Sequence, residues 1–439
     1  MTQHIAIIGA GFTGLAAARD LARAGLRVTV FEADTHVGGL AGSFDPGGGA
    51  DPLDRFYHHW FTSDHDVMGL IDELGLSDQV SIEPSLTGVY FNKSIARLAT
   101  PLDLLRFAAL SPLGRIRLGI LGFRARRVTD WRALEGVTAA DWLRKLGGDR
   151  VYETLWEPLL KGKFGAYAEQ ISAVWIWNKL KLRSHSRGKG AAEHLAYVRG
   201  SFARIAEAMA QDIRAHGGDI RTGCTVTTLT PKETGGWQIV SGQGAVHADA
   251  VIATPAPAVV AGMIHEWATA PELQALTAIP YLANLCLVLE LDRPLSDTYW
   301  LSVTDPDFPF VGVIEHTNFQ PAAQYAGRRV VYLSRYLPQD DPLMTLDDDA
   351  VLAFALPHLK RMFPAFDPAW VQAHHVWRAD WAQPVVTRQY ADRIPPQDGP
   401  APGLYLCSMA QIYPQDRGTN YAVRDGRALA ARLIAEAAN

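Results

Sequence analysis

The chain has 439 residues, a length that predicts two or three domains sharing a large core. With 48% hydrophobic and 20% charged residues it has the composition of a folded globular protein, and its net charge of −5 gives no reason to expect a nucleic-acid partner. Its three cysteines, Cys224, Cys286 and Cys407, lie far apart in apolar or β-branched surroundings, so neither a disulfide framework nor a metal site is expected, and a cytoplasmic location is.

The first segment, MTQHIAIIGAG, has no basic n-region and no cleavage site, and it predicts a strand that begins almost at once rather than a signal peptide. No run of about 18 uncharged apolar residues occurs, so no transmembrane helix is expected. Residues 5–8 predict a short buried strand, followed by Gly9-Ala10-Gly11-Phe12-Thr13-Gly14 and by strong helix formers with apolar residues at helical spacing over 15–22. Gly25 stops that helix, and residues 27–31 predict a second strand ending at Glu32. A GxGxxG turn between strand and helix, with an acid after the next strand, is a dinucleotide-binding fingerprint. Gly9 permits the tight turn, Gly11 lets a pyrophosphate approach backbone N–H groups, Gly14 allows close packing, and Glu32 suits a ribose hydroxyl. Phe12 and Thr13, inside the turn, are expected to join them.

The fingerprint alone leaves NAD and FAD open. The residues after it, Glu32-Ala33-Asp34-Thr35-His36-Val37-Gly38-Gly39-Leu40-Ala41-Gly42-Ser43, resemble the extended signature of two-domain flavoproteins. That superfamily includes protoporphyrinogen oxidase, phytoene desaturase, the flavin amine oxidases and UDP-galactopyranose mutase. The resemblance implies FAD as cofactor, with Ala33, Gly38, Gly39 and Leu40 along its diphosphate. It extends to Arg199-Gly200-Ser201-Phe202, which stands where those proteins have a Y-x-x-G-G turn and lacks one glycine of the pair. It also covers a strand over 224–229, where Val226 is the implied backbone partner of adenine. Near the C-terminus, a strand over 403–407 and the start of a helix in PQDRGTNY resemble the family's last elements. There Asp416, Gly418, Thr419 and Asn420 are implied to face the flavin's pyrimidine edge, where a helix N-terminus suits developing negative charge.

The implied fold is α/β: a discontinuous Rossmann-like FAD-binding domain of residues 1–75, 195–265 and 395–439, with an inserted α+β substrate domain of mixed sheet and helices. Residues 76–194 are expected to be helical, on segments such as AADWLRKLG and VYETLWEPLLKGKFG. Residues 266–394 are expected to be strand-rich, on LCLVLEL and VVYLSRY.

Two basic stretches stand out from the acidic whole. Arg106, Arg115, Arg117, Arg124, Arg126 and Arg127 are interleaved with apolar residues, and no acid occurs between Leu104 and Thr129. The 104–129 segment is a candidate for peripheral contact with the inner face of an anionic membrane; a substrate-domain helix with a solvated basic face is the alternative. Lys179, Lys181, Arg183, Arg187 and Lys189 form the second stretch, which suits a substrate phosphate or a solvated loop.

The segment DRFYHHWFTSD concentrates rings where the resemblance runs the chain beneath the flavin. His58 and His59 are the expected catalytic residues there, with imidazole available to the flavin or a substrate hydroxyl, and Trp60 is expected to meet the substrate. His58 and Thr62 match a His-x-x-x-Thr segment of UDP-galactopyranose mutases, although Phe61 replaces that motif's second histidine. Residues 62–64 also suit the cap of a following helix. Further pocket candidates are His316, counted with the catalytic set, and Arg335, Tyr336, Gln383, Arg388 and Tyr390, each polar within or beside an apolar run.

Flavin amine oxidases place a lysine near the flavin on a central substrate-domain strand; the comparable residues 284–288 hold none, which counts against a monoamine or polyamine oxidase. The expected activity is an FAD-dependent oxidoreductase removing a hydride from a bulky small molecule, amphiphilic, lipid-linked or phosphate-bearing. The alternative is a redox-neutral enzyme resembling UDP-galactopyranose mutase, acting on a nucleotide- or lipid-linked sugar. A non-catalytic flavin-binding scaffold is a third reading, and the oligomeric state stays open.

Overall fold

The computed structural model describes residues 3–438 apart from 92, 98–102, 104–105, 108, 186–192 and 306–307. The first strand, His4–Ile8, is buried at every position, as a parallel strand covered on both faces must be. It is the middle of five parallel strands in the order Asp219–Arg221, Arg27–Phe31, His4–Ile8, Ala250–Ala253 and Leu404–Leu406. Three separate stretches of chain therefore build one sheet. The first helix, Phe12–Arg23, packs beside Ala203–Ala215 and the C-terminal helix, Thr419–Ala437. Its approach to the strand depends on Gly14, where an added Cβ would lie 2.0 Å from the Gly9 carbonyl oxygen.

A second sheet has seven strands in the order Val371–Pro384, Tyr281–Leu291, Arg329–Leu337, Gly312–Glu315, Trp300–Val303, Thr87–Phe91 and Ser94–Arg97. Neighbours are antiparallel except Trp300–Val303 and Thr87–Phe91. Strand alternation sorts its side chains. Leu285, Leu287, Leu289 and Leu333 pack with Val351, Ala355 and Leu359 of the Asp348–Met362 helix, while Cys286, Val288 and Tyr332 belong to the core shared with the parallel sheet.

The insertion over 76–194 is not wholly helical. Ala139–Gly147 and Glu157–Phe164 are helices, but Thr87–Phe91 and Ser94–Arg97 complete the seven-stranded sheet. These strands are short, and their sheet partner, Trp300–Val303, lies some two hundred residues onward, so no local pattern announces them. Among the described residues no helix is long and apolar enough to cross a membrane, and no group of three or more His, Cys, Asp or Glu could hold a metal ion. The three cysteines are free and buried.

At the turn lacking a glycine, Gly200 and Ser201 both adopt left-handed conformations, with φ of 83° and 73°. Ser201 thus carries a backbone strain that glycine would avoid, and its hydroxyl is buried with no hydrogen-bond partner among the described residues. Ser201→Gly should raise stability by about 1 kcal/mol in urea denaturation. A loss of stability would mean that the serine holds the turn.

Candidate functional site

The site is built where the two sheets meet, beginning with the glycine-rich turn. The Glu32 carboxylate accepts the Ala10 N–H at 2.6 Å and the Asp34 N–H at 2.9 Å, which ties the end of the second strand to the turn. Burial pushes this carboxyl above its usual range, against the lowering pull of those backbone donors. Gly38 and Gly39 are left-handed, and the Gly38 N–H donates to the Ala10 carbonyl at 2.8 Å. They lie so close to the first turn that a Cβ on Gly39 would meet the Gly11 Cα at 3.2 Å. Leu40 follows half-buried, and Ala33 is exposed. Val226 begins the Val226–Pro231 strand, two residues beyond Cys224, whose N–H donates to the Glu32 carbonyl at 2.7 Å.

A dinucleotide fits this cradle. A Cβ added to Gly11 would meet nothing within 4 Å, so there is room in front of the turn. The first helix starts at Gly11 with no side-chain cap and no acid in its first turn, leaving its N–H donors and dipole for an anion. Phe12 is buried and Thr13 half-buried in that turn. The C-terminal helix starts in the same way at Gly418.

The ring-rich segment lies between the domains, and its side chains alternate. Tyr57 and His59 face the seven-stranded sheet: Tyr57 packs edge-on against Trp300 at 5.0 Å, and His59 Nδ1 lies 3.1 Å from the Tyr299 hydroxyl. His58 and Trp60 face the other way, against Phe202, at 5.1 and 3.8 Å between ring centroids. Burial, aided by the positive charge of Arg417, pushes the His58 imidazole down to about 4, so it is neutral at pH 7. Its Nδ1 is buried and unpartnered among the described residues, an orphaned group suited to a ligand. Asp54 anchors the segment: its carboxylate accepts the Tyr197 hydroxyl at 2.7 Å and the Phe202 N–H at 2.9 Å, and its carbonyl accepts the Tyr332 hydroxyl at 3.0 Å. Burial pushes this carboxyl up to about 7, with the two donors opposing.

Next to the rings is a buried charged cluster. Arg417 donates from Nη2 to the Tyr336 hydroxyl at 2.8 Å and from Nε to Gln383 Oε1 at 3.1 Å. Tyr336 is hydrogen-bonded to Tyr57, which also reaches Ser334. Lys163, from the Glu157–Phe164 helix, places Nζ 4.9, 5.1 and 5.6 Å from the ring centroids of Tyr336, Trp175 and Phe164. It makes no hydrogen bond among the described residues, and burial lowers its pKa. Asp416 pairs with Lys179 at 2.5 Å and accepts the Trp175 indole N–H at 3.1 Å. Burial would raise the Asp416 carboxyl, but Lys179, Lys163 and Arg417 outweigh it and hold it well below the usual range. Burial likewise works to raise Tyr336, and Arg417 and Lys163 reverse the direction, making it more acidic, while Tyr57 is held well above a normal phenol by burial and by Tyr336. Three cations against one carboxylate leave the cluster electropositive.

The expected residues do not all converge here. Arg335 is on the opposite face of its strand from Tyr336, because neighbours alternate, and its charge reaches His358 on the Asp348–Met362 helix. His316 is a satisfied core histidine: its Nε2 lies 2.7 Å from the Tyr325 hydroxyl, and burial pushes it down to about 3. Trp60 is buried and donates its indole N–H to Thr419 Oγ1 at 2.7 Å, supporting the C-terminal helix rather than opening to a substrate. Asn420 accepts the Val67 N–H at 3.0 Å and donates to Asp66 at 3.1 Å, binding that helix to His65–Glu73. Arg388 is exposed on a turn, and buried Tyr390 gives its hydroxyl to the Ala410 carbonyl at 2.8 Å. Asp64 accepts the Phe61 N–H and does not cap the following helix. Lys181 lies over the Trp177 ring, while Arg187 and Lys189 lie outside the described residues.

Three participants escaped the sequence. Lys163 reaches the central sheet from a helix, so the sequence of the strand carries no sign of it. Arg417 sits inside the PQDRGTN run between residues named for other reasons, and Tyr57 inside the ring segment; the density of polar groups at the helix start was the available signal.

The parallel sheet, the open glycine turn and the uncapped first helix define a dinucleotide-binding fold. The pattern of the flavin containing amine oxidoreductase family spans residues 12–434; the chain belongs to that family, is an oxidoreductase, and has FAD as its cofactor. It is 27% identical to the carotenoid phi-ring synthase of Streptomyces griseus over 415 residues, 86% of this chain and 77% of the synthase. Its fold is similar to cyclohexylamine oxidase from Brevibacterium oxydans IH-35A, with a TM-score of 0.72 at 17% identity over 100% of both chains. It is also similar to reduced UDP-galactopyranose mutase, with a TM-score of 0.76 at 15% identity over 99% of this chain and 96% of the mutase.

The Asp54 anchor sets a pH dependence. Its folded pKa, about 7, lies above the unfolded value of 3.8, so its contribution to stability is complete below pH 3.8 and lost as pH rises through 7. Tyr197→Phe removes a donor that favours the carboxylate and pushes the folded pKa higher still. The variant should lose about 1.5–3 kcal/mol at pH 8 and less at pH 5, by urea denaturation at both values. Equal losses would show that Asp54 does not titrate in this range.

Proposed function

We propose that this enzyme removes a hydride from a bulky amphiphile whose polar end is anionic. The observation that carries the reading is the electropositive cluster of Lys163, Tyr336 and Arg417 set against a wall of rings. FAD, when bound along the cradle, supplies the acceptor for the hydride. Gly11 and the first-turn N–H groups would hold its diphosphate, Glu32 its ribose, and the start of the Thr419–Ala437 helix its pyrimidine edge.

The chain's own residues do the rest. Lys163, which has no hydrogen-bond partner among the described residues, and Arg417 bind an acidic oxygen of the substrate. Tyr57, Trp300 and His59 pack on its apolar body and exclude water. Tyr336, whose phenolate is favoured by two neighbouring cations and by the Tyr57 hydroxyl donating to its oxygen, accepts as that phenolate the proton the substrate releases when it loses the hydride and forms its new double bond. The 27% identity to a carotenoid phi-ring synthase supports a large apolar body, and the charged cluster supports a polar end that a plain hydrocarbon lacks. The free, buried thiols support a cytoplasmic location.

The FAD-loaded protein should be titrated anaerobically with dodecanoate and with dodecanol while its visible flavin spectrum is recorded. Dodecanoate should bind at least about tenfold tighter than the alcohol, and Lys163→Met should remove most of that preference with flavin retained. Equal affinities would remove the anionic end from the reading. Turnover of a nucleotide-linked sugar by the reduced protein, with no net redox change, would replace hydride removal with mutase-type chemistry.

A further inference from the structure

We propose that the Pro112–Arg127 helix docks the protein on an anionic lipid surface. The inference stands apart from the substrate reading, because it rests on a surface and not on the charged cluster. The helix has two apolar faces, and only one is used by the fold. Gly114, Leu121 and Ala125 are buried against neighbouring helices, and the Trp177 indole donates to the Ala125 carbonyl at 2.9 Å. On the side turned away, Leu113, Ile116, Ile120 and Phe123 recur at spacings of three and four residues and are 59, 59, 43 and 55% exposed. Half of the eight large hydrophobics exposed among the described residues therefore lie on this one helix, in a single stripe.

The charge around the stripe selects the partner. Arg117, Arg124 and Arg127 are exposed along the same side, and they make no ion pair among the described residues. The Arg127 guanidinium lies 4.3 Å from the Phe123 ring centroid, its stem along the apolar surface and its charge at the edge, the posture of a side chain reaching for headgroups. No acid interrupts residues 104–129, in a chain whose net charge is −5. A second copy seated on the same stripe would bring two rows of arginines together, which disfavours self-association. At 16 residues the helix is too short to span a bilayer, so it lies in the interface plane. Docking there would hold the Ala173–His185 helix over the membrane, and that helix carries both Trp177 and the Trp175, Asn178 and Lys179 partners of Asp416.

The test uses the full-length, FAD-loaded protein and cosedimentation with vesicles of phosphatidylcholine, alone or with phosphatidylglycerol. Binding should require phosphatidylglycerol and weaken when NaCl is raised from about 0.1 to about 0.5 M. Ile116→Asp with Phe123→Asp should cut the partition coefficient by at least about tenfold. Replacing Arg117, Arg124 and Arg127 with Gln should cost about fivefold per arginine on the acidic vesicles. Retained flavin absorbance marks each variant as folded, and the wild-type comparison decides independently of them. Failure of the wild type to bind acidic vesicles, or equal binding to both lipids, would overturn the proposal. So would a dimer in sedimentation velocity that Phe123→Asp splits.

Discussion

The buried carboxyl of Asp54 is the joint on which the interior depends. At 1% exposure it would be costly alone, and it persists because the Tyr197 hydroxyl and the Phe202 N–H satisfy it. Its carbonyl takes the Tyr332 hydroxyl, so one residue ties the ring segment, the turn leading back into the dinucleotide domain, and the seven-stranded sheet. With that end fixed, the next residues alternate between walls. Tyr57 and His59 line the substrate sheet; His58 and Trp60 pack on Phe202. Six consecutive rings are used because the segment passes between two surfaces and must fill both.

The start of the C-terminal helix is the second constraint. Its Gly418 cap leaves N–H donors unsatisfied, and the residues just before it, Asp416 and Arg417, are buried with Lys179, Lys163 and Tyr336. An uncapped helix end and an excess of cations act in the same direction: both favour negative charge in the space they border. Asp416 lowers the cost by neutralising Lys179, while Lys163 lies against three aromatic faces, which offset part of the burial that lowers its pKa. The arrangement is prepared for charge that arrives with a ligand or develops during reaction.

The Ala173–His185 helix joins this cluster to the outer surface. Trp175, Asn178 and Lys179 serve Asp416, and Trp177 holds the arginine-rich helix through a backbone carbonyl. The same thirteen residues thus border the reactive interior and the exposed apolar stripe.

The sequence by itself determined the dinucleotide turn, its acid, the following glycine pair and the family, because these depend on contiguous residues whose φ, N–H groups and spacing act locally. It also marked the basic stretch and the density of rings. Only the tertiary structure decided which polar residues meet. Tyr336 and Arg335 are chain neighbours with equal claims, and strand alternation sends one to Arg417 and the other to the far face. Lys163 and Arg417 are more than two hundred residues apart, and they share a site only because a helix and a loop close on the same strand. His316 looked catalytic until its Tyr325 partner was in place. Composition and periodicity report how a residue relates to its own segment; a charged pocket is made by partners brought from elsewhere, and their identity is settled by packing.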